Sequence, residues 1–317
     1  MNRTSTAAIA AMAVTFLSSM SIAQELPQPD KAKTVEMFRV PKYCEGVCFD
    51  HAGRGYISWD KTITRFELDG KHTPWAETGA PNGHKILADG THLVCDASQH
   101  AVLHLSAEGK PLEHASKECD GKPHRGPNDL TLDTASGGFY FSDPGGSSLE
   151  KPIGTMHYVD KAGKTTLLDD GRCFPNGIVL APGGKKLYLA ESQKNRVLVY
   201  DVTAPGKVGE PKVFAELPKK DAAKGQIDNQ PDGMCLDAAG NLYVAHYGMK
   251  QVQVLDPAGK LIRQYDGGNT TTSNVAFGGP QHNQLFITGG IGPEAGEGGL
   301  FRIDLGVKGL VILPAKN

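Results

Sequence analysis

Six side chains able to offer an oxygen to a cation recur along this 317-residue chain, each at the head of an apolar stretch: Glu45 in EGVCFD, Asn82 in NGHKIL, Asn128 in NDLTLD, Asn176 in NGIVLA, Asp232 in DGMCLD and Asn274 in SNVAFGG. Two are carboxylates and four are amides. Two negative charges match one divalent cation, and a donor set made of oxygen alone suits Ca²⁺, Mg²⁺ or Mn²⁺ better than Zn²⁺. A loose cage completed by water fits Ca²⁺, which accepts roughly six to eight oxygens. Asn-Gly and Asp-Gly are ordinary turn dipeptides, so a single opening says little. A carboxylate in two equivalent places and an amide in four is more than turns require.

For these groups to meet, the elements bearing them must be arranged around one axis. Each opening leads into a short apolar strand, a Gly-bearing turn and a second strand of alternating character: GYISWD, HLVCD, FYFSD, LYLAE, LYVAH and LFITG. Third strands such as ITRFEL, AVLHLS and RVLVYD mostly run into a Gly-Lys turn, where glycine supplies a positive φ. Fourth strands are expected at 73–78, 111–116, 165–169, 212–216 and 261–265. The openings recur at intervals close to the roughly 40–50 residues of a four-stranded blade. The pattern predicts an all-β, six-bladed propeller of antiparallel blades. The sixth blade lacks an obvious fourth strand unless 309–313 supplies one, whereas 34–40 is a strand with no other place. The N-terminal strand is therefore expected to close the ring and protect its edges.

The 39 glycines and 20 prolines suit a turn-rich single domain over 24–317, and a net charge of −2 gives no reason to expect a nucleic acid or an anionic membrane as partner. Residues 1–23 read as a signal peptide, with Arg3, an apolar run over 7–17 and Ser21-Ile22-Ala23 before the expected cleavage near Gln24. The run is too short for a membrane span, so the protein is expected to be exported, periplasmic or secreted. All six cysteines follow this segment. Cys48 and Cys235 occupy equivalent strand positions and read as small core residues, while a disulfide among Cys44, Cys119 and Cys173, placed in loops, is left open.

The strings EGVCFD, HRGPNDLTLD followed by FYFSDP, FPNGIVLAPGGKKLYLAES, QPDGMCLDAAGNLYVA and TSNVAFGG resemble the regucalcin and gluconolactonase family of six-bladed propellers over 34–305, nearer its bacterial gluconolactonase branch. The resemblance implies one divalent metal on the axis held by Glu45, Asn176 and Asp232, most simply Ca²⁺ with Mg²⁺, Mn²⁺ or Zn²⁺ as alternatives. It implies that Asn128 contacts substrate or a water on the ion, that Asp232 is the general base, and that the substrate is a sugar-type lactone. Some relatives carry a substrate-binding arginine two places before the Asn128 equivalent; here Gly126 stands there and Arg125 is one place earlier.

This chemistry agrees with the residues. A dication polarises a carbonyl and stabilises the developing oxyanion, and a carboxylate beside it can take the proton released by the attacking water. No G-x-S-x-G elbow is present to support a serine esterase. Asn82, His84, His124 and Arg125 are candidates for contacting substrate, while Asp143, His246 and Asn274 are expected to support the site from behind. The glycine-rich run over 289–299 is expected to be a mobile loop at the mouth. A phosphoester hydrolase on the same metal site and a non-catalytic exported propeller binding sugar or calcium are the alternatives. No protein partner is indicated.

Overall fold

The computed structural model describes residues 25–220, 229–292 and 296–316. The expected signal peptide lies outside them. Strands account for nearly all the regular structure, and the only helical elements among the described residues are the 3₁₀ turns Pro29–Lys31 and Ser192–Lys194. No helix there is long and apolar enough to cross a membrane.

Six antiparallel blade sheets follow one another along the chain, with a two-stranded ribbon, Glu118–Cys119 paired with Lys122–Pro123, between blades two and three. Blade one is built from Cys44–Phe49, Gly55–Trp59, Thr62–Phe66 and His72–Glu77. Blade five repeats the scheme with Gln230–Leu236, Leu242–Tyr247, Gln251–Leu255 and Leu261–Asp266. In blade two, the fourth strand expected at 111–116 is reduced to isolated bridges, Leu105 with Pro111 and Val102 with Ser116.

Alternation along the strands turns apolar side chains toward the neighbouring sheets, so the core is divided into six clusters, one per interface. The cluster joining Ile57 and Phe66 of blade one to Phe286 and Leu300 of blade six shows that the ring closes. Closure is covalently staggered: Thr34–Val40 pairs antiparallel with Gly298–Asp304, so chain from before blade one completes blade six. The N-terminal strand thus takes the outer position, and 309–313 does not.

Residues 309–313 instead cross the axis at the far ends of the first strands. Gly309 bridges Asp237, Leu310 N–H donates to Leu236 O at 2.9 Å, and Ile312 packs against the apolar clusters between blades two and three and between blades four and five. With Val47, Phe49, Ile86, Met234, Cys235 and Phe277 they line a narrow apolar space under the openings. The tail is a plug on one end of the channel. The six first strands leave the other end free for chemistry.

Candidate metal centre

Five of the six first strands carry a register shift at their opening: Glu45/Cys48, Pro81/His84, Pro175/Ile178, Pro231/Met234 and Thr272/Asn274. A bulge re-aims the side chain next to it, and here it turns successive openings toward the same axis. The contacts run round the ring. A Cβ on Gly46 would stand 1.9 Å from Asn82 O, one on Gly83 2.4 Å from Asp129 Oδ1, one on Gly177 2.1 Å from Asp232 O, and one on Gly233 2.3 Å from the Asn274 carboxamide carbon. Asp129 accepts a hydrogen bond from the Ile178 N–H, and the Ser273 hydroxyl donates to Cys44 O at 2.7 Å, completing the circuit from blade six to blade one. Gly46 also needs its glycine for the backbone, at φ +50°.

At the centre of this ring Glu45, Asn176 and Asp232 converge, all buried. The Tyr43 hydroxyl donates to Glu45 Oε1 at 2.6 Å, while Glu45 Oε2 is buried with no hydrogen-bond partner. Asn176 donates its amide to Asp232, and its own Oδ1 is likewise buried and unpartnered. Burial without compensation costs on the order of 1–3 kcal/mol per polar group. Two orphaned acceptor oxygens beside a carboxylate make a donor set that fits a hard dication.

The electrostatics say the same. Burial, with the Asp129 charge adding to it against the Tyr43 hydrogen bond, pushes Glu45 up to about 8. Burial and then the charges of Glu45 and Asp129 hold Asp232 well above the usual carboxylate range. Burial raises Asp129 too, against the pull of Lys85. Three acidic groups therefore share one desolvated space with one lysine nearby, and a dication would balance them.

The other anticipated residues divide. Asn274 is at the centre, its side chain packed on Gly233 and hydrogen-bonded to Asp129. Asn128 and Asn82 are half-buried at their openings; the Asn128 carbonyl accepts from Gly83 N–H at 2.8 Å, and that of Asn82 from the Ser58 hydroxyl at 2.9 Å. His84 lies in the core between blades one and two, fully enclosed, bonded to His92 at 2.7 Å and ringed by Trp75 and Tyr56. That position offers a substrate no access. His246 ties blades together, its Nε2 to Asn195 Oδ1 at 2.8 Å and its Nδ1 to Gln253.

Asp143 accepts the N–H groups of Arg125 and Gly126, each at 2.8 Å, and so clamps the segment entering blade three. Asp96 does the same for Gly79 and Ala80, and Glu191 for Cys173. A strand-end carboxylate that fastens the incoming loop is thus a repeated device of the fold. His124 packs in the same region, and Arg125 is exposed with its guanidinium on Ile153 O. The ends of the run expected to be a mobile loop are strand, Gly289 and Gly290 pairing with Gly299 and Gly298, while 291–292 and 296–297 lie outside the strands and 293–295 outside the described residues. All six cysteines are buried free thiols; Cys44 begins a strand and Cys119 ends the short strand Glu118–Cys119, so of the three expected in loops only Cys173 lies outside a strand.

Asp129, Tyr43 and Lys85 are the members the motif reading missed. Asp129 carried a signal, because it stands where blades one, two, four and five have the glycine of their opening pair. Tyr43 and Lys85 lie outside the repeating positions and carried none.

A family model described as the SMP-30/gluconolactonase/LRE-like region matches residues 45–290. A gluconolactonase of Zymomonas mobilis is 28% identical over 218 residues, 65% of this chain and 60% of its own length. The match thus spans less than two thirds of that protein. A diisopropyl-fluorophosphatase of Loligo vulgaris is 26% identical over 231 residues, 66% of this chain and 68% of its own length. Among solved structures, a calcium-binding regucalcin of Agrobacterium tumefaciens aligns with a TM-score of 0.75 at 21% identity, over 90% of this chain and 98% of its own. At that identity the likeness speaks for the fold.

Proposed function

This chain belongs to the SMP-30/gluconolactonase/LRE-like family, and from that premise we propose that it is a divalent-cation-dependent hydrolase that opens sugar-type lactones. The observation that carries the reading is the pair of buried, unpartnered oxygens, Glu45 Oε2 and Asn176 Oδ1, beside the Asp232 carboxylate. These three residues would hold the ion, with Ca²⁺ favoured by the all-oxygen donors. Bound there, the ion would withdraw electron density from the lactone carbonyl and stabilise charge developing on its oxygen.

The chain's own residues do the rest. Tyr43 fixes the Glu45 carboxylate by its 2.6 Å hydrogen bond, and the Asn176 amide fixes Asp232. Asp232, a carboxylate beside the ion, would take the proton from the attacking water. Asn128, half-buried at the open end of the ring, presents its amide to the substrate. Lys85 offsets part of the Asp129 charge from the channel side. The plugged far end of the channel leaves substrate and acid product one way in and out.

Acid release from a panel of aldonolactones, followed with and without chelator, tests the proposal. Turnover that disappears on chelation and returns with Ca²⁺ is expected, as is a fall of at least 100-fold in kcat for Asp232→Asn with the fold intact. No chelator-sensitive turnover on any lactone, with Ca²⁺ still bound, would leave a binding propeller in its place. The similarity to the Loligo fluorophosphatase favours one second reading, hydrolysis of a phosphoester at the same ion. It prevails if organophosphate turnover exceeds lactone turnover in the parallel assay.

A further inference from the structure

Blade three carries a second group of donor atoms, apart from the axial residues. His124, Asp143 and His157 are all buried, and one potential ligand atom of each lies within 4.8 Å of the others. His124 precedes the run to Asn128, Asp143 ends the strand Gly138–Asp143, and His157 belongs to Gly154–Val159. The imidazole centroids of His124 and His157 are 5.1 Å apart.

The hydrogen bonds around the cluster are oriented for ligation. His124 Nε2 lies 2.7 Å from the Ser116 hydroxyl, and His157 Nε2 lies 2.9 Å from that of Thr155. Each ring is thereby left its Nδ1. For His124 that atom is 3.9 Å from Asp143 Oδ2; for His157 it is buried with no partner. A histidine that ligates through one nitrogen carries its proton on the other and donates it to a neighbouring oxygen, which sets ring orientation and basicity. Ser116 and Thr155 supply those oxygens. Asp143 is oriented by two backbone N–H groups, one on each oxygen, and keeps lone pairs for a cation.

We propose that His124, Asp143 and His157 form a second metal site, for a borderline divalent transition cation of the Zn²⁺ type. Two imidazoles and one carboxylate suit such an ion, whereas the all-oxygen axial cage suits Ca²⁺, so donor softness sorts the two cations between the two sites. Ligands on one tetrahedral ion stand roughly 3.4 Å apart, so closure requires inward movements of under about 1 Å. All three residues line a cavity of about 410 Å³, bounded also by Cys119, Arg125 and Ile153. Three protein ligands with a fourth position facing such a space is the arrangement of zinc sites that bind water or a substrate group. The ion would also fasten the segment leading to Asn128 onto the third strand of its blade. The inference stands independently of the lactonase reading.

The test uses the full chain, stripped with chelator, saturated with Ca²⁺ and then titrated with Co²⁺ and with Zn²⁺. One equivalent is expected to bind, with the intense visible ligand-field bands of low-coordinate Co²⁺ and no thiolate charge-transfer absorption. His124→Gln and His157→Gln should each weaken Zn²⁺ binding at least 100-fold without changing Ca²⁺ binding, while Glu45→Gln leaves the Zn²⁺ site intact. Should either histidine variant fail to fold, X-ray absorption of the Zn²⁺-loaded wild type decides: nitrogen and oxygen neighbours with imidazole scattering support the site, and sulfur neighbours overturn it. Absence of a Zn²⁺ equivalent under Ca²⁺ saturation, or binding untouched by both histidine substitutions, also overturns it.

Discussion

Glu45 holds one carboxylate oxygen satisfied by Tyr43 and the other buried without a partner, and its two roles pull in opposite directions. Without an ion the group is an unfavourable occupant, crowded by the charges of Asp129 and Asp232; with one it is half of the compensating charge. Glu45→Gln preserves size and the acceptor for Tyr43 but removes the charge. Calorimetric titration is expected to show Ca²⁺ affinity reduced at least tenfold, about 1.4 kcal/mol, while the chelated variant melts no lower than the chelated wild type. Unchanged affinity would remove Glu45 from the ligand set. At this scale the repeat marked all six openings alike, because position within a blade translates into position around the axis; it was the family resemblance that singled out Glu45, Asn176 and Asp232, which lie together with Asn274. The repeat could not reveal Tyr43, which lies just ahead of the strand Cys44–Phe49 and matters through one contact with Glu45. Nor could it place His84, whose ring packs on Tyr56 and Trp75 of blade one.

At the scale of the strand, the bulged opening and its glycine are what bring neighbouring blades close enough for their side chains to share an ion. Gly177 shows this most directly: a methyl there would meet Asp232 O at 2.1 Å and Gly233 Cα at 2.8 Å, both backbone atoms that cannot rotate away. Gly177→Ala is expected to cost about 3 kcal/mol and to weaken Ca²⁺ binding by displacing Asp232. Gly126→Ala, whose methyl would find nothing nearer than 3.6 Å, serves as the control and should stay within about 0.5 kcal/mol of wild type. Denaturant melts of the two variants decide, and equal stabilities would show that the blades do not depend on this approach. Strand existence was readable from alternation and from the Gly-Lys turns. The differences are local: the outer ladder of blade two is broken at 113–114, leaving bridges at Pro111 and Ser116, and the ends of the glycine-rich run after Ile287 are strand, where a Cβ at Gly298 would strike Lys42 O at 2.3 Å. Those glycines mark close packing of backbone on backbone.

At the scale of the whole molecule the ring is held by its six interfaces and by one strand borrowed from the other end of the chain. Removing residues 34–40 should expose the Gly298–Asp304 edge and make the protein aggregate during refolding; light scattering would record it, and a soluble truncation as stable as the full chain would refute the closure argument. The interfaces also bury histidines that burial keeps neutral: it lowers His92 to about 4, His246 to about 3 and His84 well below its ordinary value. A histidine that titrates near 6.5 when unfolded and near 3 when folded binds its proton first in the unfolded chain. Its stabilisation is therefore complete above about pH 6.5 and is lost progressively as pH falls toward the folded value. His246 is suited to measurement because Asn195 and Gln253 define both ring nitrogens and because it lies outside both donor clusters. Raised carboxylates such as Asp129 and Asp143 oppose the trend, so the comparison must be between wild type and His246→Gln under the same ionic conditions. Between pH 7.5 and pH 5 the wild type is expected to lose on the order of 2 kcal/mol more than the variant, read from urea midpoints at constant m-value; parallel stability curves would mean that the buried imidazole does not set acid sensitivity.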